Sequence, residues 1–175
     1  MTLSAPTSWL CSAALYLTGG GNRIDIKESS TTWLAERGSP PSLFQLADRP
    51  EDATSEELKT WIWSSFDEVG LRPAETDLAW IAAAAVLLRL PQNGPDATAA
   101  GLASIAINFE WTAGALTTAL VLSDDLDDGS PIPPGGLETS FAELRSKVSR
   151  ALSDLQVAAW GMSVNELIAA LRGSD

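Results

Sequence analysis

The sequence of residues 54–70 is TSEELKTWIWSSFDEVG. Thr54 is a favourable helix N-cap, and Glu57 stands three residues later, the spacing at which the two residues cap each other. Gly70 stands where a glycine commonly ends a helix. One set of apolar residues falls at helical spacing and forms a single stripe: Leu58, Trp61, Ile62, Phe66 and Val69. The pattern predicts an amphipathic helix from about 55 to 69 that packs one side against a core.

Trp63 is the large apolar residue of this helix that does not belong to the stripe. At a helical rotation of 100° per residue it stands roughly 130° from the stripe centre, on the side that carries Glu56, Lys59 and Asp67. Tryptophan is common both in cores, where its N–H finds a partner, and at the centres of protein interfaces. Two interpretations therefore stay open: Trp63 packs under a neighbouring loop such as 38–53, or it is an interface anchor.

Helical patterns continue on both sides of residues 54–70. Residues 76–90 are apolar on all sides, which is typical of a helix at the centre of a bundle. Residues 97–122 follow a cap at Asp96, and we expect one long buried helix or two helices broken near 108–111. That stretch has the length of a membrane span, but polar residues interrupt it and basic flanks are missing, so a span is not expected. The remaining predicted helices cover residues 42–47, 139–159 and 164–171.

The N-terminal part has a less certain pattern. Ser8 is a suitable cap for a helix over 9–18 that ends at the glycines 19–21. Residues 23–27 alternate between polar and apolar, as a strand does, so we expect a short extended segment after the helix. The alternative is a β-hairpin that pairs residues 15–17 with 23–27.

Length and composition describe one ordinary domain. The chain has 175 residues, of which 45% are hydrophobic and 19% charged, and a chain of this size removes roughly 70% of its surface from water on folding. We therefore predict a single, mostly α-helical bundle over residues 1–175, with a less regular segment at 1–40 and an acidic loop rich in proline and glycine at 123–138.

The net charge and the numbers of histidine and cysteine residues limit the classes of partner and of chemistry that we expect. The net charge of −12 repels phosphate backbones and anionic lipid, so neither nucleic acid nor membrane is an expected partner. The chain has no histidine, and its one cysteine, Cys11, lies among apolar residues. The first basic residue, Arg23, follows the apolar stretch 9–17, which does not fit a secretory signal. A cytoplasmic location is expected, with no cofactor.

Most of the negative charge comes from two segments. Residues 48–77 carry nine acids and three bases, and residues 124–138 carry five acids and no base. Their net charges of −6 and −5 supply nearly all of the −12 of the chain. Opposite potentials accelerate association and a buried ring supplies affinity, so an acidic surface with an aromatic residue suits a basic protein partner.

The acids of the second segment are Asp124, Asp125, Asp127 and Asp128. As Asp-Asp-x-x-Asp, the residues Asp124, Asp125 and Asp128 form a motif that resembles the magnesium-binding motif of helical isoprenoid synthases, where carboxylates one turn apart share metal ions. The resemblance implies a divalent-metal site that holds a diphosphate. The chain departs from that family because it has no second acidic motif and no basic cluster for the diphosphate.

The leading hypothesis is a binding protein without catalysis that neutralises or chaperones a basic protein, as immunity proteins, antitoxins and secretion chaperones do. The expected partner-binding residues are Trp63, Glu56, Asp67, Glu68, Asp124, Asp125, Asp127 and Asp128. A divalent-metal enzyme that uses Asp124, Asp125 and Asp128 is one alternative. The other is a structural protein that self-associates through its tryptophan-rich faces, with a homodimer as the simplest product.

Overall fold

The structure is a computed structural model, and it describes residues 5–37, 40–70 and 73–108, together with Ser146. Six helices follow one another through the three ranges, and the described residues contain no strand. They are α1 (Ala5–Leu17), α2 (Arg23–Arg37), α3 (Ser42–Asp48), α4 (Ser55–Glu68), α5 (Glu75–Leu88) and α6 (Leu90–Asn108). The prediction of a mostly α-helical fold is confirmed for this part of the chain.

Helix α1 confirms the N-terminal helix but corrects its start. It begins at Ala5, so Ser8 lies inside the helix instead of capping it. Pro6 stands in the first turn, where a proline costs no helical hydrogen bond because the N–H groups there have no partner within the helix. The helix ends as expected at the glycines: the amide of Gly19 donates to the carbonyl of Tyr16 and that of Gly20 to the carbonyl of Leu15.

Helix α2 contradicts both N-terminal alternatives, the extended segment and the β-hairpin, because residues 23–27 are its first turn and a half. The side chain of Asn22 accepts a hydrogen bond from the backbone N–H of Asp25 at 2.9 Å, which is an N-cap contact. Ile26 and Trp33 are buried, whereas Ile24 is 67% exposed. Residues two positions apart lie on nearly opposite sides of a helix, so Ile26 faces the core and Ile24 faces solvent.

Close packing at Gly21 explains how α2 can follow α1 so directly. A Cβ atom on this residue would lie 2.6 Å from the backbone nitrogen of Tyr16, far inside van der Waals contact. Only glycine therefore lets the chain turn against the last turn of α1. The turn brings α2 back along α1, and these two helices pack against each other.

Helix α4 confirms the capping prediction in atomic detail. The backbone N–H of Glu57 donates to Thr54 Oγ1 at 3.2 Å, and the backbone N–H of Thr54 donates to Glu57 Oε2 at 2.7 Å. Gly70 adopts a φ of 71°, the left-handed conformation expected just after a helix. These two signals set the position of α4, which ends within a residue of the predicted boundary.

All six helices contribute buried apolar side chains to the core of the described residues. Helix α5 is buried along most of its length, as its all-round apolar sequence predicts, and it packs against α1 and α6. The indole of Trp9 on α1 meets Trp33 on α2 and Phe66 on α4, with ring centroids 5.2 Å and 5.1 Å apart in edge-to-face arrangements. Trp9 therefore joins three helices at one point.

Helix α6 is interrupted at Gly94, which has a φ of 79° and a ψ of 171°. The other residues of 90–108 are helical, so Asp96 lies inside the helix instead of capping a start at 97, and the helix runs to Asn108, where this described range ends. None of the helices in the described ranges has the length and hydropathy that crossing a membrane requires. The rest of the predicted helix 97–122, the helices 139–159 and 164–171 and the loop 123–138 lie outside the described residues, apart from Ser146.

Candidate protein-docking site

The predicted partner-binding residues of α4 fall into different environments. Glu56 is exposed and accepts a hydrogen bond from Lys59 Nζ at 3.4 Å, a weak surface ion pair. Glu68 accepts two hydrogen bonds from Ser42, at 3.0 Å from the backbone N–H and at 2.6 Å from the hydroxyl. Because Ser42 begins α3, the carboxylate of Glu68 satisfies the start of that helix and joins α3 to α4.

Trp63 is neither fully buried under a loop nor fully exposed as a surface anchor. Its side chain is half-buried, and its ring meets Phe66 at a centroid distance of 5.5 Å and an interplanar angle of 62°. Phe66 in turn contacts the fully buried Trp9. The ring of Trp63 is therefore supported from the core side while part of it stays accessible to solvent.

A groove of about 640 Å³ runs beside Trp63, between α4 and the residues that open α5. Its α4 wall consists of Thr60, Trp63, Ser64 and Asp67, and its other wall consists of Pro73, Ala74 and Glu75. The groove brings together two of the predicted residues, Trp63 and Asp67, whereas Glu56 and Glu68 are not part of its lining. It combines one aromatic ring with two carboxylates and two hydroxyl groups.

Sequence reasoning missed the second wall of this groove. Glu75 is the first residue of α5, where a carboxylate is favoured by the positive end of the helix dipole. Pro73 stands two residues before it, at the kind of position where a helix is about to begin. These are recognisable start signals, but nothing in the spacing of residues 63–75 indicates that the start of α5 returns to the outer side of α4.

Five basic side chains of the described residues have acceptors within the chain: Arg23, Lys27, Arg49, Lys59 and Arg89. Arg23 Nη1 donates to the carbonyls of Pro50 and Ala53 at 3.0 Å and 2.5 Å and so ties the loop 50–53 to the start of α2. Arg89 joins the end of α5 to Asp25 of α2 at 2.6 Å. Three further pairs join Lys27 to Glu51, Arg49 to Asp48 and Lys59 to Glu56.

Cys11 is buried among apolar side chains in α1. Burial raises the pKa of its thiol to about 12, and the positive charge of Arg89, which acts in the opposite direction, does not offset this. The nucleophilic thiolate is therefore absent at neutral pH. Cys11 is a core residue and no candidate for chemistry.

The metal-site prediction depends on residues that the structure does not describe. Asp124, Asp125, Asp127 and Asp128 lie outside the described residues, so their roles stay predictions. Within residues 5–37, 40–70 and 73–108, no group of three or more histidine, cysteine, aspartate or glutamate side chains is arranged to hold a metal ion. The groove beside Trp63 is therefore the site on which a function can be argued.

Comparison with family models, with curated proteins and with solved structures found no match to this chain. The chemistry of the residues that line the groove is therefore the basis for a functional proposal. Those residues form an acidic groove with a half-buried tryptophan ring on a helical scaffold.

Proposed function

We propose that this chain is an acidic binding protein for a basic protein partner, of the kind that neutralises or chaperones it, as immunity proteins, antitoxins and secretion chaperones do. The observation that carries the proposal is the position of Trp63, half-buried beside Asp67 and Glu75 at the edge of an open groove. Tryptophan is among the residues that most often dominate the affinity of protein interfaces.

The negative charge of the chain also supports a basic protein as the partner. The segment 48–77 has a net charge of −6, and residues 124–138 add −5. A negative surface of this size steers a positively charged protein toward it and raises the association rate at low ionic strength. Glu56, exposed on α4, contributes to this field from outside the groove.

Glu68 and the four aspartates of residues 124–128 contribute to the proposed binding in different ways. Glu68 already satisfies the start of α3 through Ser42, so its main contribution is structural, and its charge acts on a partner at longer range. Asp124, Asp125, Asp127 and Asp128 remain proposed partner contacts on the strength of their charge alone. A location in the cytoplasm belongs to the proposal as well.

The experiment is affinity capture from a lysate of the native host on the full immobilised chain. Three chains are compared: the natural one, a double charge reversal Glu56→Lys with Asp67→Lys on α4, and a control reversal Glu28→Lys. Glu28 is exposed on α2, outside the acidic segments. Captured proteins are identified by mass spectrometry at low salt and in 1 M salt, where the screening length is only about 3 Å.

We expect a basic protein that is captured at low salt, released at high salt, lost with the double reversal and kept by Glu28→Lys. The same protein, purified, must then bind the natural chain directly. Capture that is indifferent to ionic strength, or a captured protein that both charge variants hold equally, would contradict the proposal. Absence of any basic partner would contradict it too.

A further inference from the structure

We propose that Asn93, at the break in α6, is a site of spontaneous covalent modification: its side-chain amide is converted to a carboxylate by reaction with the backbone nitrogen of Gly94. Four asparagines occur in the chain, and Asn93 is the one that a glycine follows. The other three are followed by Arg23, Phe109 and Glu166. Both the pair Asn93–Gly94 and its place in the fold favour the reaction.

The reaction requires water and no oxidant or reductant. The nitrogen of Gly94 attacks the side-chain carbonyl carbon of Asn93, a new C–N bond forms, and the amide nitrogen of Asn93 leaves as ammonia with the proton that the Gly94 nitrogen gives up. Water then opens the resulting succinimide ring. Water that breaks the new C–N bond yields aspartate, whereas water that breaks the original peptide bond yields isoaspartate, in which the backbone runs through Cβ and Cγ.

Gly94 leaves the attacking nitrogen unobstructed. Its φ of 79° and ψ of 171° lie in a region that only glycine adopts readily, and Pro95, which follows it, disfavours the helical conformation at this position. Apart from neighbouring backbone, no atom lies within 4 Å of the place that a Cβ on Gly94 would take. The residue that breaks the helix is thus also the one that has no side chain to hinder ring closure.

Asn93 is exposed to solvent and is the last helical residue before the break. Its backbone N–H and that of Gln92 both donate to the carbonyl of Arg89, at 3.0 Å each, so one acceptor serves the two amides of this turn. Helix ends open with a low free energy. The rotation that brings the side chain of Asn93 to the Gly94 nitrogen therefore does not require the core to unfold.

Asn22 is the matched comparison within the same chain. It is exposed as well, but its side-chain oxygen accepts a hydrogen bond from the backbone N–H of Asp25 at 2.9 Å as the N-cap of α2. The nitrogen that would attack it belongs to Arg23, whose side chain hinders ring closure. Breaking the cap alone slows the reaction at Asn22 by about fivefold, the rate equivalent of about 1 kcal/mol.

The test follows the full, folded chain during incubation at pH 7 and at pH 8 in water enriched in ¹⁸O. Peptide mapping by mass spectrometry measures the conversion of each asparagine, and a methyltransferase specific for isoaspartate labels that product. We expect Asn93 to be converted at least about fivefold faster than Asn22, and faster at the higher pH because the attacking nitrogen must lose its proton.

The product should contain one ¹⁸O atom, taken from the water that opens the ring. It carries one more negative charge than the −12 of the chain, so isoelectric focusing should show an additional acidic band. Asn93→Gln should lose nearly all of this band, because the longer side chain closes a less favourable ring.

Equal rates at Asn93 and Asn22 in the folded chain, or a product at Asn93 without isoaspartate, would overturn the inference. No conversion of Asn93 in the folded chain would overturn it too, and the chain unfolded in guanidinium chloride would then show whether the helical turn protects this residue. If Asn93→Gln does not fold, as judged by circular dichroism, the comparison of Asn93 with Asn22 within the natural chain still decides the question.

Discussion

Replacement of Phe66 by leucine tests whether the line of rings from Trp9 to Trp63 stabilises the fold. Phe66 is fully buried and meets Trp9 at 5.1 Å and Trp63 at 5.5 Å between ring centroids, both edge-to-face. Leucine keeps the position apolar and fills most of the same space. The substitution therefore removes two aromatic contacts while changing the buried volume as little as possible.

The magnitude follows from those two contacts. An edge-to-face pair is worth about 0.5–1.5 kcal/mol beyond the area it buries, and an apolar exchange of similar volume in a core costs up to about 1.5 kcal/mol by itself. We expect Phe66→Leu to lower the free energy of unfolding by about 2–3 kcal/mol. For a chain of this length that corresponds to a decrease in Tm of roughly 4–12 °C.

The measurement is urea unfolding followed by circular dichroism at 222 nm, a signal to which the lost phenyl ring contributes little. Phe44→Leu is the matched control, because Phe44 lies on α3 and is 54% exposed. It should change the free energy of unfolding by less than about 0.5 kcal/mol, as exposed positions usually do. The slope of the unfolding free energy against urea should be the same in both variants and the natural chain.

A loss of less than about 0.5 kcal/mol for Phe66→Leu, or a loss equal to that of Phe44→Leu, would refute the argument. A double-mutant cycle with Trp63→Leu then separates the two contacts. The Phe66–Trp63 pair should show a coupling energy of about 0.5 kcal/mol or more. A coupling of zero would mean that Phe66 does not support the ring of Trp63.

The capping box of α4 gives a pH dependence: hydrogen bonds from the backbone and then the hydroxyl of Thr54 hold the pKa of Glu57 below its ordinary value of 4.5. Its stabilisation is therefore complete above about pH 4.5 and is lost as the pH falls through the lower pKa of the folded state; Thr54→Ala should lower Tm at pH 7 by roughly 2–4 °C, whereas Glu57→Gln, which removes the titrating carboxyl group, should flatten the dependence of Tm on pH below 5, and an unchanged dependence would count against it. Cys11 should not react with a disulfide reagent at pH 8 until the chain is unfolded in urea, since its pKa is about 12; stoichiometric labelling of the folded chain would show the burial to be wrong. Gly21→Ala should lower the free energy of unfolding by more than about 1 kcal/mol, because its Cβ would lie 2.6 Å from the Tyr16 nitrogen, whereas Gly20→Ala meets its nearest atom at 3.7 Å and should be nearly neutral; equal thermal melts of the two variants would contradict this.

The helices that sequence reasoning placed best are those with local signals at both ends. Thr54, Glu57 and Gly70 set the limits of α4 through contacts within the helix itself, so no knowledge of the rest of the fold was needed. Residues 76–90 could likewise be assigned to the centre of the bundle, because a helix that is apolar on all sides has to be covered on all sides.

The short alternating run 23–27 favours a strand and obscures the helical signals of α2. Asn22 precedes Asp25 by three residues, a capping spacing, and Ile26, Ser30 and Trp33 stand on one side of a helix. The serine at the middle of that side hid the stripe, since a polar residue usually marks the solvent side. In the fold Ser30 is fully buried.

Only the α4 wall of the groove can be predicted from the sequence. Trp63 and Asp67 share a side of α4 by their spacing, and that relation is local. Glu75 reaches the same groove because the chain turns between α4 and α5, and the turn depends on how both helices pack against the rest of the fold. Such a contact between neighbouring helices has no signature in helical periodicity.

The contact between Trp9 and Trp33 has an optical consequence. Two indole rings 5.2 Å apart and inclined by 69° are close enough for their excited states to couple, which produces a paired positive and negative band in the circular dichroism of aromatic absorption. The contribution of this pair requires α1 and α2 to be packed against each other. The pair is thus an intrinsic reporter for the assembly of the two N-terminal helices.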